Sequence, residues 1–88
     1  MIQFLDFYAD WCGPCRVMSP IIEELEKEFS GKMEIKKIDV DTDSDNVSRF
    51  NVMSIPTYII LKDGQEVDRL IGAQPKETLV SKINQHLS

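Results

Sequence analysis

The chain holds two cysteines, Cys12 and Cys15, separated by Gly13-Pro14. A spacing of three lies within one helical turn, so the sulfurs can bond with little backbone movement. Such a pair can cycle between dithiol and disulfide, or it can supply half of a zinc site. Structural zinc takes four ligands, and the only histidine, His86, is distant in sequence, so a metal site would have to be shared by two copies. An inert structural pair is the third reading. Two cysteines are few for a disulfide-stapled secreted fold, which favours redox chemistry in a reducing compartment.

Redox chemistry needs a thiolate, and the neighbouring elements could supply one. Residues 2–8 read as a strand. Ile2, Phe4, Asp6 and Tyr8 alternate with Gln3, Leu5 and Phe7, and both rows are largely apolar. That suits a central strand covered on both sides, with Asp6 as the misfit. A helix is expected from the cysteine pair to Phe29. Val17, Met18, Ile21, Ile22, Leu25 and Phe29 form its apolar face, and Glu23, Glu24, Glu26, Lys27 and Glu28 its polar one. Pro14 suits the first turn, Pro20 should kink the helix, and Ser30-Gly31 ends it.

Cys12 then lies at a helix N-terminus, among unpaired N–H groups and the positive end of the dipole. Bringing a thiol from about 8.5 to about 7, the upper part of the range that Cys-x-x-Cys thiols reach, corresponds to about 2 kcal/mol. The dipole supplies only about 0.3–1 kcal/mol, so direct N–H···S contacts must add to it.

The remainder predicts a strand over 33–40, with Ile35, Ile38 and Val40, and a turn at Asp41-Thr42-Asp43-Ser44. A short helix follows over 44–50, burying Val47 and Phe50. Thr57–Leu61 and Glu66–Ile71 read as a hairpin about Asp63-Gly64. Pro75 opens a last helix striped by Leu79, Val80, Ile83 and Leu87. The expected fold is α/β, in the order βαβαββα, with a four-stranded mixed sheet between three helices. With 88 residues, the chain suits one domain over 1–88.

Formal charge is −5 with no Lys/Arg cluster, so nucleic acid is not an expected partner. No apolar run is long enough to span a bilayer, so no membrane is expected either. The first residues carry neither a basic region nor a long apolar stretch, so no signal peptide is expected and the expected location is the cytoplasm. No Gly-x-Gly-x-x-Gly is present, and no bound cofactor is expected beyond the cysteine pair itself.

Trp11-Cys12-Gly13-Pro14-Cys15 resembles the active-site motif of the thioredoxin family. The resemblance continues through Phe4–Asp10, through Ile55-Pro56-Thr57, which looks like the family's cis-proline segment, and through Lys62-Asp63-Gly64 and Ile71-Gly72-Ala73. It implies a thioredoxin-like fold and a dithiol electron donor that reduces protein disulfides. On this likeness Cys12 is the nucleophile and Cys15 the resolving cysteine. Asp6 is the buried carboxylate that relays its proton, and Lys37 the lysine near it. Trp11, Gly13, Pro14, Ile55, Pro56, Gly72 and Ala73 make the substrate-receiving surface. Implied partners are disulfide-containing target proteins and a thioredoxin reductase, with a monomer as the default.

The residues alone support these roles unevenly. A carboxylate in an apolar row of a central strand is costly unless paired or protonated, so Asp6 should titrate high. Lys37 is explained about as well by a solvated strand face. Trp11, at a strand-to-helix turn, is expected to be partly exposed, and His86 is read as a surface residue without a catalytic part.

The family usually carries another strand and helix before the segment that starts here at Met1. The strand over 33–40 is therefore expected at a sheet edge, guarded by Lys36 and Lys37. Tyr8 and Arg16 stand where the family commonly has Trp and Lys. Other functions stay open at this point. One is a disulfide oxidant or isomerase of the same fold. Another is a binding module with incidental cysteines. A metal-sharing dimer is the last.

Overall fold

The computed structural model describes residues 1–87. Its strands are β1 (Ile2–Tyr8), β2 (Met33–Asp39), β3 (Thr57–Lys62) and β4 (Gln65–Ile71); its helices are α1 (Gly13–Glu28), α2 (Ser44–Arg49) and α3 (Lys76–Leu87). The strand order is β2-β1-β3-β4, giving the mixed four-stranded sheet and three helices that the sequence predicts. β1 pairs with β2 in parallel, across the α1 connection, and with β3 antiparallel. β2 and β4 are the edges.

β1 is central because both of its faces are apolar. Successive strand residues point to opposite sides. Ile2 and Phe4 enter one core with Tyr58 and Ile60 of β3, Met18, Ile22 and Leu25 of α1 and Phe29 at its C-cap, and Leu79 and Ile83 of α3. Leu5 and Phe7 enter the other, with Ile38, Ile59 and Leu61, capped by Val47 and Phe50 around α2. Each fully buried aliphatic or aromatic side chain of these rows contributes about 1.5–3 kcal/mol. Asp6 belongs to the row of Ile2 and Phe4, at the end nearest the cysteines.

Several expectations shift in detail. Val17 is 69 % exposed, not part of the apolar face. The buried stripe of α1 is Met18, Ile22, Leu25 and Phe29, and Val17 lies about 100° around the helix from Met18. Val47 and Phe50 are only half-buried, because a six-residue helix covers little of the sheet. β2 ends at Asp39, one residue early, while β3 extends to Lys62 and β4 begins at Gln65. Asp63 and Gly64 form a two-residue loop with φ of 53° and 83°, backbone angles that favour glycine and tolerate aspartate. A register shift opposite Ile60 and Leu61 leaves Val67 as the extra residue of a bulge in β4.

Candidate active site

The chain leaves β1 at Tyr8 and turns through Ala9–Trp11 into α1. Cys12 is the N-cap residue of α1, with extended backbone angles, and its Sγ accepts a hydrogen bond from the Cys15 N–H at 3.2 Å. A sulfur therefore takes the place of the usual capping oxygen and satisfies one of the donors that every helix start leaves over. In the oxidised pair this sulfur already receives an N–H contact of the kind that a thiolate there would need. The Cys12 N–H donates to the Ala9 carbonyl at 3.1 Å, and the Arg16 guanidinium donates twice to the Asp10 carbonyl, at 2.7 and 3.0 Å. Those bonds fix the turn that presents the cysteines.

Cys12 and Cys15 form a disulfide, with Cα atoms 5.3 Å apart. Both side chains are buried, in a cluster with Ala9 against Tyr8, Val40 and Ile55. Gly13 and Pro14 are exposed on the first turn.

Two different surroundings meet at this pair. Trp11 is 67 % exposed and donates from Nε1 to Asp41 Oδ2 at 2.8 Å. It lines an open groove of about 470 Å³ with Val40, Val47, Val52, Met53 and Ile55. Ile55 leads into Pro56 through a cis peptide bond, and Pro56 is buried. The Gly72 N–H donates to the Pro56 carbonyl at 2.8 Å, so the end of β4 is tied to the start of β3. Gly72 takes φ of 89°, and Ala73 beside it is exposed.

Behind Cys15 lies a cleft of about 250 Å³, whose lining includes Asp6, Cys15, Arg16, Ser19, Ile22 and Lys37. Asp6 is 7 % exposed. Burial pushes its carboxyl up to about 6, the Lys37 ammonium pulls it back, and Glu26 pushes it further up. Lys37 is the register partner of Asp6 across β1 and β2, and its Nζ lies 3.5 Å from Glu26 Oε1. On the third side, Tyr58 of β3 is the register partner of Asp6, and burial, with Asp6 adding to it, holds its phenol well above the usual range.

The fold thus brings Asp6, Lys37 and Cys15 to one cleft, and Trp11, Ile55 and the cysteine pair to one surface. His86 is instead half-buried on α3, with its Nε2 3.2 Å from Asp68 Oδ2, so the expectation of a plain surface residue is corrected. Among the described residues no group of three or more His, Cys, Asp and Glu is placed to hold a metal ion. No described helix is long and apolar enough to cross a membrane.

Three residues around the site carry little signal in the sequence. Spacing puts Glu26 on the polar face of α1, although it stands one turn after Ile22, which lines the cleft. Arg16 stands out in the sequence only as a replacement for the family's common Lys. Met53, 89 % exposed beside Ile55, carries no signal in an irregular segment that would have singled it out.

The thioredoxin family profile matches residues 2–85. Thioredoxin of Staphylococcus aureus is 48 % identical over 86 residues, covering 98 % of this chain and 83 % of the relative. The X-ray structure of Fasciola hepatica thioredoxin superposes with a TM-score of 0.90 at 40 % identity, over 97 % of this chain and 80 % of that one. Oxidised mitochondrial thioredoxin 3 of Saccharomyces cerevisiae gives a TM-score of 0.88 at 34 % identity, over 96 % and 77 %. The chain belongs to the thioredoxin family. It is a thiol–disulfide oxidoreductase, a protein-disulfide reductase whose redox-active centre is the Cys12–Cys15 pair.

Proposed function

We infer that the chain donates electrons to disulfides of target proteins in a two-step exchange. The Cys12 thiolate attacks one sulfur of a substrate disulfide. A mixed disulfide forms, and the other substrate sulfur leaves as a thiolate. Cys15 then gives up its proton and attacks Cys12 Sγ. The substrate's second sulfur is released as a thiolate, and the Cys12–Cys15 disulfide remains. Two electrons and two protons, delivered through a thioredoxin reductase, restore the dithiol.

The observation that carries this reading is the position of Cys12 as the sulfur cap of α1, bonded to the Cys15 N–H. A cap accepts hydrogen bonds, and a thiolate accepts them better than a thiol. Cys15 faces the cleft that holds Asp6, whose raised pKa suits a group that takes a proton near neutral pH. Lys37 adjusts that carboxyl from the neighbouring strand. Trp11, Gly13, Pro14, Ile55, Pro56, Gly72 and Ala73 receive the substrate chain on the opposite side. Exposed apolar side chains around a redox centre suit a partner that must leave after each turnover.

In this reading residues 1–88 act as one domain and as a monomer in the cytoplasm. The disulfide pair serves as the sole redox group, and neither nucleic acid nor a membrane is a partner. A charge of −5 without a basic patch fits the last point.

The test is a trap. Cys15→Ser should stop the reaction after the first step and accumulate a covalent adduct with a disulfide substrate, seen by non-reducing electrophoresis and mass spectrometry. Cys12→Ser should give none. Full multiple turnover by the Cys15→Ser protein would overturn the scheme.

A further inference from the structure

We propose that Glu26 is a positioning residue for the second step: by holding Lys37 at the rim of the cleft, it keeps the Asp6 carboxyl able to take the Cys15 proton. The proposal rests on the relay reading of Asp6 given above and adds a residue to it.

The groups facing Asp6 come from three elements. Lys37 of β2 is its register neighbour. Tyr58 of β3 is its register neighbour on the other side. From α1, Cys15 and Arg16 line the same cleft, and Glu26 reaches it through Lys37. Tyr8 and Asp10, next along the chain, complete the lining.

Of these, Lys37 is the cation on the strand next to Asp6. An ammonium left free to lean over a buried carboxylate would hold it ionised and make it a weak base. Glu26 prevents that in two ways. Its Oε1, 3.5 Å from Lys37 Nζ, draws the ammonium toward α1 and offsets its field at Asp6. Its own negative charge also disfavours a second one nearby. Both side chains of the pair are 46 % exposed, so the ion pair adds little to stability as such. Its consequence falls on the buried neighbour, where water screens less.

The experiment uses Glu26→Gln, Lys37→Met and the double variant, all close in shape to the parent. The Asp6 carboxyl is followed by carbon NMR in the oxidised protein, where the cysteines do not titrate. Glu26→Gln should lower the Asp6 midpoint by about 0.3–0.5 pH unit, the size expected for one charge near the surface acting over several ångströms. Lys37→Met should raise it. In the Lys37→Met background the effect of Glu26→Gln should shrink, because the share exerted through Lys37 is gone.

The acid limb of the rate at which Cys15 resolves a preformed mixed disulfide should follow the Asp6 midpoint. Glu26→Asp should restore part of the shift. A purely structural role for Glu26 would move neither quantity. An Asp6 midpoint unmoved by Glu26→Gln overturns the proposal and leaves the relay standing. If the midpoint moves but Asp6→Asn leaves the second step unchanged at every pH, the relay reading fails, and the proposal with it.

Discussion

The surface in front of the disulfide and the cleft behind it are made of different chemistry. In front, Trp11, Met53 and Ile55 line an uncharged groove, the first two largely open to solvent and Ile55 half-buried. Behind are Asp6, Lys37 and Glu26, a carboxylate, an ammonium and a second carboxylate, with only the first one buried. The two cysteines divide along that line. Cys12 caps the helix and takes its hydrogen bond from the backbone, whereas Cys15 faces the charged cleft. An exchange reaction asks for this division. One sulfur must meet a foreign chain, and the other must lose a proton at the right moment.

The difference also separates stability from activity. Apolar surface in front contributes nothing to folding while it stays in water. Asp6, by contrast, opposes folding whenever it is ionised. Its carboxyl is raised from 3.8 to about 6 in the folded chain, so the folded state holds this proton more tightly than the unfolded one. The associated stability is present in full below about pH 4 and is lost as pH rises through about 6. The loss amounts to about 3 kcal/mol.

The largest effect expected of a single substitution follows from this. Asp6→Asn should be more stable than the parent by up to about 3 kcal/mol in denaturant unfolding at neutral pH, relative to the same comparison near pH 4. It should also slow the second exchange step. Equal stability differences at both pH values would show that Asp6 is already solvated, and the contrast between front and back would weaken.

Gly72→Ala probes the seam between the two strands that frame the front surface. A Cβ there meets nothing within 4 Å, so the penalty is purely conformational, from φ of 89°. A loss of about 1–2 kcal/mol in thermal unfolding is expected, with the Asp6 midpoint unmoved. No loss would mean that the turn after β4 relaxes without its glycine.

Trp11→Ala should have the smallest effect on stability and a selective one on substrate. Removing exposed apolar area and the bond to Asp41 should lower kcat/KM for a protein disulfide about fivefold, equivalent to about 1 kcal/mol. Asp6 should titrate as before. A change in the Asp6 midpoint instead would mean that front and back are coupled.

Most of this architecture is legible in the residues themselves. The double apolar alternation of Ile2–Tyr8 marks a central strand, Asp63-Gly64 marks a hairpin, and a carboxylate inside an apolar row marks Asp6 for a perturbed pKa. Other features are decided by packing that spacing does not encode. Val17 and Ile21 both fit a helical apolar face, yet Val17 stays exposed while Ile21 packs, half-buried, beside the stripe through Met18, Ile22, Leu25 and Phe29. Val47 and Phe50 fit a buried face, yet α2 is too short to seal them. Glu26 reads as one of several solvated acids, and only the pairing of β1 with β2 brings Lys37 within its reach. His86 reads as surface because its partner, Asp68, lies on a strand 18 residues away.

The most direct test of the central claim is the equilibrium reduction potential of the Cys12–Cys15 couple, measured against a glutathione or thioredoxin-type redox buffer. A donor of electrons to protein disulfides should sit well below the glutathione pool, at a strongly reducing potential. A markedly more oxidising potential would contradict the account and point to disulfide formation or isomerisation on the same scaffold.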